Sequence, residues 1–414
     1  MFRYVRRGQR PRCVISIVLF VVALCAGSTA WAQLRVVTYN TLRGPNPGLD
    51  TVLEAIGEEN VGGIARPIDI LLLQEQTGPS FDPLQTTDGI LNVLNNIYGA
   101  GTYARGNLAG GPIFSNSLRQ TIVYNSNTVQ LVGEVALGTT GVNSQPRQVL
   151  RHQVRPLGYN SSADFYIYNS HYKASPENES KANSNLTNGE RRDIEAMEIR
   201  SNEDGMGPGV SAIYAGDFNM RSSFEDAFQT LVAAGNGQAN DPVNQLGTWH
   251  NNSGFATWHT QSPCEFACSP GFAAGGLDDR FDFQLITDAL DDEEGVDFLA
   301  GTYRSFGNNG STYNDAINVG NTITINGLQS FTTAQVLDAL ESASDHLPVV
   351  ADYQIPALLN ATTGAVPMNL NQGQTFNLDL FVSNAAPVLV QQGADELNYS
   401  FTTTGDITGG GSGT

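Results

Sequence analysis

The chain has 414 residues, 41 acidic against 21 basic side chains, a net charge of −20 and 40% hydrophobic residues. That apolar content over that length supports one large core or two to three average ones. The acid excess excludes holding a polyanion by bulk charge, so any phosphate-bearing molecule must be met by local cations; otherwise the acid surface serves only solubility.

The N-terminus "MFRYVRRGQRPR" carries Arg3, Arg6, Arg7, Arg10 and Arg12 and no acid. The apolar run "VISIVLFVVALCAG" and the small residues Ala30 and Ala32 of "TAWAQ" follow. This pattern predicts a secretory signal over 1–32, cleaved after Ala32. The apolar run is short for a membrane anchor, and no later segment is long and apolar enough to cross a bilayer. Stable membrane insertion after cleavage is therefore not expected, and the protein is placed outside the cytoplasm, secreted or periplasmic. Of the four cysteines, Cys13 and Cys25 lie in the signal; Cys264 and Cys268 of "SPCEFACSP" remain. In an oxidising compartment, two close cysteines in a Pro-flanked loop predict a disulfide. A metal site there would need more soft ligands.

Predicted elements follow in order. "LRVVTYN" (34–40) is a strand. "DTVLEAIGEE" (50–59) has helical spacing with Asp50 as its N-cap. "IDILLLQEQ" (68–76) is a buried strand, and 86–99 a capped helix. The strands "TYARGN", "RQTIVYN", "VQLVGEVAL", "RQVLRHQVRP" and "DFYIYNSHY" come next. Helix 188–200, strand "VSAIYAGDFN", a Ser-capped helix 222–235, strand 281–287, helix 332–343 and strand 347–355 complete the unit. Interspersed helices and strands that are apolar on both faces predict an α/β sandwich over 33–355. Residues 356–414 read as a linker and a partial β-module with a Gly/Ser tail.

Polar residues stand at six strand tips: Asn40; Glu75; His171 with Lys173; Asp217 and Asn219; Asp282, two after Arg280; and Asp345–His346. Each alone has a bland explanation. Asn40 can be a turn residue, Glu75 a solvated acid, Asp217-x-Asn219 an Asx-turn, and His171 a partly buried histidine. Repeated placement at six tips weakens that explanation. Lys173 is a candidate phosphate contact or a solvated charge, and Arg280 a candidate substrate contact or the partner of an acid. His250, Trp258 and His259 share a long loop with the cysteines, read as a disulfide-pinned surface loop that could shape substrate access. His152 reads as structural.

The ordered blocks "VVTYN", "LLQE", "NSHYKA", "AGDFN", "DRFDF" and "SDHLPV", over residues 34–355, resemble the endonuclease/exonuclease/phosphatase superfamily, the deoxyribonuclease I-like enzymes, in a secreted bacterial branch. The resemblance implies a four-layer α/β sandwich, two packed sheets flanked by helices, with the site at strand-end loops. It implies a divalent metal, Mg²⁺ first and Mn²⁺ or Ca²⁺ next, at Asn40, Glu75 and Asp345, with Glu75 the main ligand. It gives His346 the role of catalytic histidine, Asp282 that of its orienting partner, and His171 that of a donor to phosphate. Asp217 and Asn219 hold the water or the leaving oxygen. The general base stays open between His346 and Asp217. Hard oxygen ligands suit such a cation, and the cation would let a chain this acidic take a phosphate. On an extended chain Asp217 and Asn219, two apart, should face one side.

The expected function is a secreted metal-dependent phosphodiesterase, a monomer hydrolysing DNA or RNA. The alternatives are a phospholipid-headgroup or phosphorylated-sugar-alcohol phosphoesterase, and a non-enzymatic binding or adhesion protein working through the C-terminal segment.

Overall fold

The computed structural model describes residues 22–23, 32–79, 82–110, 118–139, 146–180, 185–292, 295–356, 358–365, 371, 373–384, 399–402 and 410–413. All but residues 22, 23 and 32 of the predicted signal lie outside the described residues. Among the described residues two compact units are present, one spanning Ala32–Pro356, the other made of residues 22–23 and the described residues from 358 onward. In the smaller unit Leu359–Thr363 pairs with Leu380–Asn384, and Tyr399–Thr402 pairs with Val22–Ala23 and with Gly410–Gly413.

The large unit begins with β1 (Ala32–Asn40), α1 (Leu49–Glu58), β2 (Ile70–Gln76), α2 (Gln85–Tyr98), β3 (Tyr103–Arg105) and β4 (Arg119–Asn125). Then come β5 (Val129–Leu137), β6 (Val149–Pro156), β7 (Phe165–His171), α3 (Asn188–Met206) and β8 (Ala212–Asp217). It ends with α4 (Asp226–Val232), β9 (Ala239–Asn240), β10 (Asp282–Thr287), β11 (Asp297–Phe298), β12 (Arg304–Ser305), α5 (Thr333–Ala343) and β13 (Val349–Ile355).

One sheet runs β11-β13-β1-β2-β4-β3, with β12 also on β13; the other runs β9-β10-β8-β7-β6-β5. Each has a parallel pair at its centre, β1 with β2 and β7 with β8, and antiparallel neighbours outside. Such strands are covered on both faces, which is why "ILLLQ" and "AIYAG" carry no polar alternation. The outer face of the first sheet (Val37, Tyr39, Leu71, Leu73) packs against Val52, Leu53 and Ile56 of α1, Ile90 and Leu94 of α2, and Leu340 of α5. The second sheet packs Tyr168, Tyr214 and Phe283 against Ala196 and Ile199 of α3 and Phe228 and Leu231 of α4. The inner faces meet through buried amides: Gln74 Nε2 donates to Asn169 Oδ1 at 2.7 Å, and Gln284 Nε2 to the carbonyls of Val36 and Val349 at 3.0 Å each. Helix, sheet, sheet, helix is thus the observed order, the four-layer α/β sandwich expected from sequence. Among the described residues no helix is long and apolar enough to cross a membrane.

Three helix starts differ from expectation. Helix α1 begins at Gly48 with no side-chain cap, and Asp50 sits inside its first turn. The helix α2 N-cap is Leu84, and that of α4 is Glu225 rather than a serine; neither caps through a side chain. Burial of the apolar face holds these helices, since that term outweighs a cap worth about 1 kcal/mol. Capping boxes do form at Thr187–Glu190 and Thr332–Gln335.

Candidate active site

The two central parallel pairs end at the same side of the sandwich. Asn40 is in register with Gln74, His171 with Asp217, and Asp217 with Asp282. Four strand tips, from β1, β7, β8 and β10, thus carry an amide, an imidazole and two carboxylates. Gly216 permits this approach: a Cβ there would lie 2.0 Å from the Ser170 carbonyl oxygen, and its φ is +139°. Any side chain would drive β8 off β7.

Glu75 reaches the cluster by a local irregularity. The β2–β4 register shifts between Leu73 and Gln76, and Glu75 has φ +59°. A bulge of this kind re-aims a side chain that strand alternation would send elsewhere. His171 Nε2 lies 3.6 Å from Glu75 Oε1 and 3.5 Å from Asp217 Oδ2. Asn40 Nδ2 donates to Asp217 Oδ2 at 3.1 Å and lies 3.5 Å from His346 Nε2. His346 Nδ1 meets Asp282 Oδ2 at 2.8 Å, while its Nε2 lies 3.8 Å from Asp217 Oδ2 and 2.8 Å from Gln261 Nε2. All these side chains are buried or nearly so.

The charges explain the titration. Burial opposes the His346 cation, yet Asp282 and Asp217 carry it well above the ordinary imidazole value. A charged ring donates from both nitrogens, so the facing Gln261 amide is best satisfied with its oxygen toward Nε2. His171 goes the other way: burial first, then Arg147 and His346, push it well below the usual value, and it stays neutral. Burial lifts Asp217 to about 7; His346 opposes the rise, and Asp282 and Glu75 add to it. Burial also raises Glu75, against His346 and with Asp345.

A hard cation fits one part of this cluster. Asp345 Oδ2 accepts from the Ala273 backbone N–H at 2.8 Å, but its Oδ1 is buried with no hydrogen-bond partner. Glu75 Oε2 is likewise buried and unpartnered. Two carboxylate oxygens within each other's field, both lacking donors, are costly in an apolar setting unless a cation serves them. Asp217, Asp282 and His346 also offer ligand atoms within 4.8 Å of one another. In this group His346 Nδ1 is already engaged by Asp282 Oδ2, while Asp282 Oδ1 is buried without a partner.

Several sequence-based expectations are corrected. The chain leaves the extended conformation at Asn219, whose φ is +51° and whose N–H donates to Asp217 Oδ1 at 3.1 Å. This is the Asx-turn, and the same-side argument for Asp217 and Asn219 does not apply; Asn219 Nδ2 instead donates to the Tyr172 carbonyl at 3.2 Å. Asn40 Oδ1 accepts from Leu42 N–H at 3.2 Å, so in this arrangement Asn40 links the acids rather than presenting a bare carbonyl. Arg280 is not a substrate contact: its guanidinium is fully buried, binds both Asp241 oxygens at 2.8 Å and stacks 4.4 Å over Phe283. His259 is buried between the carbonyls of Trp249 and Leu277, which makes it structural. Lys173 gives its ammonium to the Ala174 carbonyl and its N–H to Glu195 Oε2 at 3.0 Å. Cys264 and Cys268 form the expected disulfide.

Other participants gave no signal in the sequence. Gln261 sits against His346. Arg147 donates to the His171 carbonyl at 3.1 Å and to that of Tyr172. Ser344 Oγ donates to the Asn40 carbonyl at 2.5 Å and accepts from His346 N–H at 3.2 Å, tying two strand tips together. Of these only Ser344, the first residue of the block "SDHLPV", lay within the resemblance.

No family model matches the chain. No curated protein matches it either. The solved structures it is similar to include endonuclease/exonuclease/phosphatase family proteins. One, from Bacteroides thetaiotaomicron, is 14% identical, with 79% of this chain and 99% of that one covered at a TM-score of 0.45. The catalytic domain of human Nocturnin is 14% identical, covering 82% and 98% at 0.44. TDP2 from D. rerio, solved with a single-strand DNA product, is 16% identical, covering 78% and 99% at 0.41.

Proposed function

We propose that this chain is a metal-dependent phosphodiesterase of the endonuclease/exonuclease/phosphatase kind, secreted, and acting on a nucleic acid. One observation carries the reading. Glu75, Asn40, His171, Asp217, Asp282 and His346, spread over most of the large unit, converge in one buried cluster with more carboxylates than cations. A stable core does not need this; a site for a phosphate and a hard cation does.

Glu75 and Asp345 would hold the divalent cation through the unpartnered oxygens, and it would neutralise charge growing on the phosphate oxygens. The chain's own groups handle the rest. Asp217, with its raised pKa, accepts a proton from water near neutrality. His346, held charged by Asp282, faces the phosphate as a proton donor and positive partner. Neutral His171 offers one N–H. Water and a phosphodiester give a phosphomonoester and an alcohol. The basic leader and the Cys264–Cys268 bridge support secretion.

Purified mature protein with Mg²⁺ or Mn²⁺ should degrade plasmid DNA or RNA, and a chelator should stop it. Both nucleic acids left intact would overturn the nuclease reading. A lipid-headgroup substrate is the second reading, favoured by Phe266, 75% exposed inside the Cys264–Cys268 ring, a few residues before Ala273, which holds Asp345; phosphocholine release from sphingomyelin vesicles without nucleic-acid cleavage would establish it.

A further inference from the structure

Asp282 is one of two carboxylates on the segment 279–282 that fix a histidine. The other is Asp279. Its Oδ1 meets His250 Nδ1 at 2.6 Å, as Asp282 meets His346. The two pairs differ in exposure: the His346 side chain is 4% exposed and that of His250 is 30%. A carboxylate on Nδ1 sets the tautomer and orientation of a ring. Orienting a part-exposed ring in this way adds little to a core.

The backbone places His250 beside the catalytic cluster. Its N–H, with that of Trp249, donates to the Arg221 carbonyl at 3.2 and 2.9 Å, and Arg221 is two residues past Asn219. Asp279 pairs with Gln261, whose amide touches His346. His250 and Arg221 are thus tethered to the His346 side of the site, through segments other than those that bring Glu75 and Asp345.

Arg221 brings a cation to a spot that also holds Asp278 and Asp279. Eight other arginines each lie within 4.0 Å of a carboxylate. Half-buried Arg221 has no such ion pair among the described residues, although Asp278 and Asp279 feel its charge. Arg43, Arg147, Arg151 and Arg191 share that lack of an ion pair among the described residues; what sets Arg221 apart is that its backbone carries the segment of a carboxylate-fixed imidazole beside the cluster. His250 Nε2 meets the side-chain amide of exposed Asn251 at 2.9 Å; a ligand oxygen takes the place of that amide when the ring carries protons on both nitrogens.

We infer that Arg221 and His250 form a subsite for a phosphate adjoining the scissile one, on the His346 side of the cluster. The inference rests on the phosphodiesterase reading above and narrows it: the substrate is a chain of phosphodiesters rather than a single one. Asp279 is a positioning residue that holds the ring, and Asp278 and Asp279 keep the spot from binding free anions strongly.

The experiment compares a short oligonucleotide with bis(4-nitrophenyl) phosphate, which has no second phosphate, on mature protein with Mn²⁺. Arg221→Ala and His250→Gln should each raise KM for the oligonucleotide about 10-fold, and the pair should flatten the salt dependence of KM by one to two phosphate equivalents. The kcat for the oligonucleotide should move far less than KM, and kcat/KM on the small diester should fall less than about 3-fold. Asp279→Asn should reproduce the His250→Gln KM change, which a purely structural role would not do at unchanged melting temperature. Equal losses on both substrates, or no change on the oligonucleotide, would overturn the subsite and leave the phosphodiesterase reading standing. Wild-type protein inactive on both substrates would overturn both.

Discussion

Two buried charge clusters lie two residues apart at the start of β10, and they are built oppositely. Arg280 with Asp241 is closed on its acid side: both Asp241 oxygens are taken and the cation stacks on Phe283, with Arg280 Nε left buried without a partner. The cluster around Asp282 is open: Asp282 Oδ1, Asp345 Oδ1 and Glu75 Oε2 are buried with no partner. The fold-holding carboxylate has both oxygens satisfied, whereas three carboxylates at the site each keep a bare buried oxygen that a ligand can complete. The sequence "DRFDF" contains both kinds.

The largest effect should come from opening the closed cluster. Arg280→Ala leaves Asp241 buried and unpaired, and should cost about 3–5 kcal/mol of stability, read as a fall in melting temperature. A small shift would place Arg280 nearer the substrate than the fold. Glu75→Gln tests the open cluster. It should lower kcat by about 10²–10³-fold, the equivalent of about 3–4 kcal/mol, with melting temperature unchanged or raised, because a like charge beside Asp345 is gone. A collapse in stability would mean that this cluster too is structural.

A smaller effect joins the two. The Cys264–Cys268 ring is short, so replacing both cysteines by serine should cost about 2 kcal/mol. Ala273 N–H, which holds Asp345, sits in the same loop: Ser262 Oγ donates to the Ala273 carbonyl at 2.8 Å. Mn²⁺ affinity should therefore fall with the bridge, and an unchanged affinity would separate the loop from the site.

A separate effect is in pH. Burial works against the Asp241 and Asp352 charges, but Arg280 and Arg35 hold both carboxyls below the usual range. Their stabilisation is present above the ordinary carboxylate pKa of about 4 and lost as pH falls further. Asp217 has the opposite sign. Raised to about 7, it favours the folded state when protonated, and that contribution is lost as pH rises from about 4 to about 7. Urea midpoints from pH 3 to 8 should show the acid loss, and Asp217→Asn should stabilise the neutral end. A neutral-pH midpoint unmoved by that substitution would contradict the raised carboxyl.

The sandwich was legible because its strands are apolar runs ending in polar tips, and two-sided burial leaves such runs. Glu75, His171, Asp217, Asp282, Asp345 and His346 stood out at those polar tips, and the roles expected of them came from the family resemblance. What the sequence hid was of two kinds. Gln261, Arg147 and the Ala273 N–H reach the site from loops with no pattern, and a backbone donor leaves no side-chain signal. Asn219 and Arg280 were visible as residues, but their roles depended on a left-handed turn and on Asp241, 39 positions upstream. Neither can be read from spacing.

The most direct measurement is Mn²⁺ soaked into crystals of the mature protein and located by anomalous scattering. A peak within coordination distance of Glu75 Oε2 and Asp345 Oδ1, lost in Glu75→Gln, is the predicted result. No peak, or one lodged instead between Asp282 and His346, would contradict the division of this cluster into a cation side and a proton side.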